Sequence, residues 1–173
     1  MNSPGLSIPL DELAARYGGD VRRRANTIPL ASERWATVEA NESDWGVGAF
    51  CHHEGAVLLV REGNEWLQPG GICEPNETPE QGARRELREE TGVEAVIEDL
   101  AAISTQTFVD ESDPSKRFEF RFATFLATTT DPTTSADPGL DGEGIDEVAW
   151  MEQVPENAFE RDLLVDLFRS VVE

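Results

Sequence analysis

The apolar positions of the chain follow two periods. Between residues 117 and 127, Phe118, Phe120 and Phe122 alternate with Glu119 and Arg121, which predicts a strand with unlike faces. Residues 56–61, A-V-L-L-V-R, form a continuous apolar run, the pattern of a buried strand. Residues 45–51 and 146–151 read as further strands. Residues 93–103 read as one or two short strands, extended by 105–109. A helical period appears twice. Leu10, Leu13, Ala14 and Tyr17 share a face of a short helix over residues 8–17, stopped by Gly18 and Gly19. Phe159, Leu163, Leu167 and Val171 share a face of a helix over residues 158–172. Residues 33–40 fit a strand or a helical turn. Polar breaks at 41–44, 62–65 and 110–116, and a Thr-, Asp-, Pro- and Gly-rich flexible loop over 128–144, separate these elements. Strands interleaved with a central and a C-terminal helix predict a layered α/β domain.

The central helix lies in residues 70–93, G-G-I-C-E-P-N-E-T-P-E-Q-G-A-R-R-E-L-R-E-E-T-G-V. Thr78 as N-cap, Pro79 at the first helical position and Gln81 three residues after the cap predict its start. Gly92 predicts its stop, after Thr91. Glu86, Glu89 and Glu90 stand at i, i+3 and i+4, so three carboxylates share one arc of the helix and repel one another. A hard divalent cation offsets such repulsion. Gly82, which costs roughly 1 kcal/mol against alanine inside a helix, is expected to leave open space beside the carboxylates. Ala83 and Leu87 are expected to anchor the helix to a core. Taken alone, E-L-R-E-E also suits a plain solvated helix.

The full spacing is more specific. Gly71 is followed after five residues by Glu77, and after seven more by Arg85, Glu86, Leu87, Glu89, Glu90, Gly92 and Val93. A chance match at one window falls below about one in a hundred million at ordinary residue frequencies. This stretch resembles the Nudix box at every position, and the approach W-L-Q-P-G-G resembles the family's lead-in. The resemblance implies a Nudix fold, a mixed β-sheet sandwiched between α-helices, over residues 45–173. Residues 1–44 are then an N-terminal appendage, a short helix plus the basic cluster V-R-R-R at 21–24. It implies Mg²⁺ or Mn²⁺ held by Glu86, Glu89 and Glu90 with the carbonyl of Gly70. It also implies an Arg85–Glu77 pair that ties loop to helix beside the catalytic Glu86 and Glu89. A base or late ligand on a later loop, as in some branches, falls here to Glu143, Asp146 or Glu147. The implied activity is hydrolysis of a nucleoside diphosphate derivative, such as a nucleoside triphosphate, ADP-ribose or a nucleotide sugar. A nucleotide-sensing domain without turnover is the alternative, which the complete box disfavours. Members of the family often form homodimers, and that expectation extends to this chain.

Composition narrows the partners. With 35 acidic and 14 basic residues the formal net charge is −21, which opposes binding to long nucleic acid or an anionic membrane. No apolar run reaches the roughly 18 residues of a membrane helix, and the N-terminus lacks signal-peptide character, so a cytoplasmic protein is expected. Lys116 is the only lysine. This acid-rich, lysine-poor balance resembles proteins of halophilic archaea and predicts stability that rises with salt. The two cysteines, Cys51 and Cys73, lack C-x-x-C spacing, against a zinc site or disulfide. His52 and His53 suit a hairpin turn better than a metal pair. The basic cluster suits a solvated patch that pairs with nearby acids, a phosphate or nucleotide contact, or a dimer contact. Trp45, Phe108 and Phe118 are candidates to stack a base, with core packing as the alternative.

Overall fold

A computed structural model of the chain describes residues 10–18, 21–39, 44–74, 76–135 and 144–172. In chain order the elements are α1 (Leu10–Arg16), β1 (Arg22–Leu30), α2 (Ser32–Glu39), β2 (Trp45–His53), β3 (Ala56–Glu62), β4 (Glu65–Leu67) and β5 (Gly70–Gly71). They continue with α3 (Pro79–Thr91), β6 (Val96–Asp110), β7 (Asp113–Thr128), β8 (Glu147–Met151) and α4 (Arg161–Val172). One sheet runs β1-β6-β7-β2-β3-β4, with β5 on β2 and β8 on β3. It is mixed, because β1 is parallel to β6 and β2 to β7 while β6 and β7 are antiparallel.

Each face of the sheet carries its own core. On one, Leu13 of α1 and Ala83 and Leu87 of α3 pack with Val47, Leu58 and Phe125. On the other, Leu163 and Leu167 of α4 pack with Phe50, Leu59 and Trp66. The alternation of β7 divides its faces: Phe125 packs in the core with α3, while Phe118, Phe120 and Phe122 line a cleft. The expected α/β/α layering is present.

Helix α3 spans the predicted residues because its ends are closed locally. Gln81 N–H donates to Thr78 Oγ1 at 3.1 Å and Thr78 N–H to Gln81 Oε1 at 2.9 Å, the reciprocal capping box. Gly92 takes the left-handed conformation at φ 82°, which glycine adopts without a Cβ clash.

Other segments decide open readings or depart from expectation. Residues 33–39 belong to α2, the helical of the two readings left open. The basic cluster pairs with nearby acids, as the solvated-patch reading expects, but within a strand: Arg22, Arg23 and Arg24 open β1 at the sheet edge, Arg23 reaches Asp11 at 2.9 Å, and Arg24 lies 3.5 Å from Asp166. The 110–116 loop shrinks to a turn at Glu111–Ser112, because Asp110 accepts both the N–H and the hydroxyl of Ser112, at 2.9 and 2.8 Å. Strand β6 is continuous, with register shifts near Glu98 and Ala101. Helix α4 starts at Arg161 rather than Ala158, since Glu160 sits at φ 52°. Gly82 leaves no open space: a Cβ there would lie 3.0 Å from both Val47 and Glu77 and 3.1 Å from the Cys73 sulfur. Gly19, residues 41–43 and residues 136–143 lie outside the described residues.

Candidate active site

The box places its charged groups beneath the glycine turn. Glu86 and Glu90 are buried, at 6% and 3% exposure. Gly70 N–H donates to Glu90 Oε2 at 2.9 Å. A Cβ on Gly71 would stand 2.7 Å from the Glu86 carboxyl, so this glycine lets the carboxylate lie directly against the turn. Glu89 is turned further outward, with a quarter of its side chain exposed.

Arg85 ties this group together. Its Nη2 donates to Glu77 Oε1 at 2.8 Å and its Nε to Glu77 Oε2 at 3.0 Å, a two-pronged pair. Nη2 also donates to the Ile72 carbonyl at 3.0 Å, and Nη1 to Glu86 at 3.0 Å and Glu89 at 3.1 Å. Burial pushes the Glu77 carboxyl up, but hydrogen bonds from Arg85 and from Glu74 N–H outweigh it and hold the group below its ordinary range. The bonds to Glu77 raise the Arg85 guanidinium against the cost of its burial. With Glu74 at 3.8 Å, one guanidinium faces four carboxylates. Among the described residues no three acidic, His or Cys side chains converge as a ready cation cage, because Arg85 draws Glu86 and Glu89 while Gly70 N–H holds Glu90. The donor chemistry nonetheless suits a hard divalent cation: three carboxylates lie on one helix arc, two of them buried against a glycine turn.

Of the late-loop candidates, Glu147 accepts Arg61 Nε at 3.4 Å and Asp146 accepts Gly63 N–H at 2.8 Å, on either side of Glu62, which lines the cleft described below. Glu143 lies outside the described residues. Both cysteines are free and buried, and burial pushes each thiol up to about 12. His53 bonds the Thr129 carbonyl at 2.9 Å beside the Glu54–Gly55 turn.

Beside Gly70 and Gly71 opens a cleft of about 560 Å³. Sheet register builds its floor in two rows: Ile28–Phe108–Phe118 and Asn26–Gln106–Phe120. The next row, Arg24–Ser104–Phe122, ends at Gly46 of β2. Phe108 and Phe118, two of the three stacking candidates, line the cleft, whereas Trp45 is sealed in the core at 1% exposure. Nothing in the residue pattern shows that β1 and α2 contribute Ile28, Leu30 and Arg34, or that the acids Glu62, Glu65 and Glu160 stand in the walls. The parallel pairing of residues 22–30 with 102–110 is the signal that was hidden.

Comparison with known proteins places this geometry. The family model described as the NUDIX domain matches residues 43–162. The chain belongs to the Nudix family. A MutT-like protein of Streptomyces ambofaciens is 36% identical over 62 residues, 35% of this chain and 40% of that protein. An 8-oxo-dGTP diphosphatase of Proteus vulgaris is 40% identical over 53 residues, 27% of this chain and 47% of that protein. Each match thus spans less than half of the relative's length. A NUDIX hydrolase structure from Nitrosomonas europaea is 25% identical with a TM-score of 0.56, covering 73% of this chain and 70% of that one. Nudix hydrolases generally use divalent metal ions. No helix among the described residues is long and apolar enough to cross a membrane.

Proposed function

We propose that this Nudix chain is a pyrophosphohydrolase that cleaves the pyrophosphate linkage of a nucleoside diphosphate derivative. The observation that carries this reading is the single guanidinium of Arg85 facing four carboxylates beside the glycine turn. That leaves a surplus of negative charge next to Gly71, which itself lines a cleft with phenylalanines in its floor. Glu86, Glu89 and Glu90, with the Gly70 carbonyl, would hold Mg²⁺ or Mn²⁺. Bound there, the cation draws charge off phosphate oxygens and makes water more acidic. Arg85 and Glu77 orient the carboxylates by fixing the loop to α3. Glu89, the most exposed of the three, is placed to take a proton from water. Likeness to a protein named 8-oxo-dGTP diphosphatase supports a nucleotide substrate.

The test is a phosphate-release screen in KCl with Mg²⁺ or Mn²⁺ against nucleoside triphosphates, oxidised triphosphates, ADP-ribose, nucleotide sugars and dinucleoside polyphosphates. Metal-dependent turnover of one class, abolished in Glu90→Gln with the fold retained, is the expected result. Saturable binding without turnover would identify a nucleotide sensor instead. A cytoplasmic location, a salt-adapted origin and homodimer formation belong to the same proposal, as does indifference to long nucleic acid.

A further inference from the structure

Helix α3 carries a second row of charge, on its exposed side. Gln81, Arg84 and Arg88 stand at i, i+3 and i+7, and all three are exposed. Arg84 and Arg88 lie one turn apart, and like charges at that spacing repel. Little offsets them. The Arg84 guanidinium has no hydrogen-bond or ion-pair partner among the described residues. Arg88 comes only within 3.9 Å of Glu94, whose side chain is 66% exposed. In a chain with 35 acidic residues for 14 basic ones, a shortage of acids does not explain two adjacent arginines without a close carboxylate.

Gln81 adds a donor to the row. Its Oε1 accepts Thr78 N–H at 2.9 Å in the capping box. Its Nε2 is left over, with no partner among the described residues. The three side chains share a cavity of about 310 Å³ with Glu77, Arg85 and Glu94. Both Glu77 oxygens are already taken by Arg85. The cavity therefore offers an occupant two guanidiniums and an amide N–H, with the exposed Glu94 as the opposing charge.

This donor set selects its ligand. Guanidiniums hold oxyanions through paired N–H bonds. From residue 81 to residue 88 the helix axis advances about 10 Å, which suits two linked phosphates better than one phosphate or one carboxylate. The cavity leaves room for hydration as well, since a water takes about 30 Å³. The net negative charge of the chain opposes anions from a distance. That repulsion is screened beyond about 8 Å in physiological salt, whereas the two arginines touch the ligand.

We propose that the Gln81–Arg84–Arg88 row is a binding site for a diphosphate group, separate from the cleft, which none of the three residues lines. Arg85 and Glu77 line the same cavity, so the occupant lies beside the pair that pins the loop after the glycine turn. The site stands whether or not the cleft hydrolyses a nucleotide.

A ³¹P NMR titration of the full chain with pyrophosphate, in EDTA and at the lowest KCl that keeps the chain folded, tests it. The spectrum reads binding and the integrity of the anhydride together. Without divalent metal, the carboxylates near Gly70 and Gly71 repel the anion. Wild type should saturate with one pyrophosphate per chain and bind orthophosphate at least about tenfold more weakly. Arg84→Gln and Arg88→Gln should each weaken pyrophosphate at least about tenfold, the loss of a charge-assisted hydrogen bond. Gln81→Glu keeps the capping acceptor and replaces the spare donor with an oxygen, so it should weaken binding while the thermal melt stays unchanged. Arg34→Gln, in the cleft, should bind as wild type does. No saturation in wild type, orthophosphate bound as tightly as pyrophosphate, wild-type affinity in both arginine variants, or an equal loss in Arg34→Gln would overturn the proposal. ADP as a competitor separates the sources of the ligand. Displacement of pyrophosphate assigns the site to the diphosphate of a nucleotide, and no displacement assigns it to the free ion.

Discussion

Arg85 and Glu77 lie eight residues apart and meet through two hydrogen bonds, Nη2 to Oε1 at 2.8 Å and Nε to Oε2 at 3.0 Å. Both side chains are largely buried, at 15% and 13% exposure. The same guanidinium holds the Ile72 carbonyl, so the loop after the glycine turn is pinned to α3 by one side chain.

Arg85→Lys keeps the charge and loses the planar fork. A lysine cannot serve Glu77 at two points and Ile72 as well. We expect a loss of about 2 kcal/mol in urea unfolding, together with reduced hydrolysis. Unchanged unfolding would show that the pair does not pin the loop.

Gly70 and Gly71 separate fold from site. A Cβ at Gly71 has the Glu86 side-chain carboxyl as its nearest neighbour, at 2.7 Å, whereas one at Gly70 meets the backbone at the Val47 carbonyl, 2.6 Å, and the Gly48 Cα, 2.9 Å. Gly71→Ala should cost less than about 1 kcal/mol yet lower turnover about a hundredfold by displacing the carboxylate. Gly70→Ala should cost about 3 kcal/mol. Thermal melts alongside activity assays distinguish the two.

These glycines also mark how far the sequence could be read. Helix α3 was legible to the residue because Thr78, Gln81 and Gly92 close it within its own span. The Arg85–Glu77 pair was legible because motif spacing carries it. Strand β1 was not. Its half-buried positions are Arg24, Asn26 and Ile28; Arg24 and Asn26 meet the carboxylates of Asp166 and Glu160 and Ile28 lines the cleft, so the alternation that reveals a strand is largely polar on both faces. Its partner, moreover, lies some eighty residues downstream, at 102–110. Glu160 was absorbed into a helix pattern, since nothing in sequence announces a left-handed φ at a glutamate.

Glu160 should leave a pH signature in stability. Its folded pKa is raised above the ordinary 4.5 by burial. Between these two values the folded chain binds more protons than the unfolded one, so stability falls as pH rises through the window. Below 4.5 the contribution is fully present, and above the folded value it is lost. Urea midpoints of wild type minus Glu160→Gln, followed upward from about pH 4, should decline with pH. A flat difference would contradict the burial of an ionisable group there.

The net charge of −21 sets the salt response. Self-repulsion among surface carboxylates is screened as ionic strength rises. The melting temperature should climb between about 0.1 and 2 M KCl. A flat or falling curve would remove the argument for salt adaptation.

Asn26 and Glu160 touch across 134 residues of chain. Closing a longer loop costs more conformational entropy, and strand β1 has no partner until residues 102–110 exist. The carboxylate helix, by contrast, is closed by its own sequence neighbours. A folding chain therefore has its metal-suited helix before it has the pocket wall beside it, and anything that pries the two ends of the chain apart would empty the pocket while leaving that helix intact.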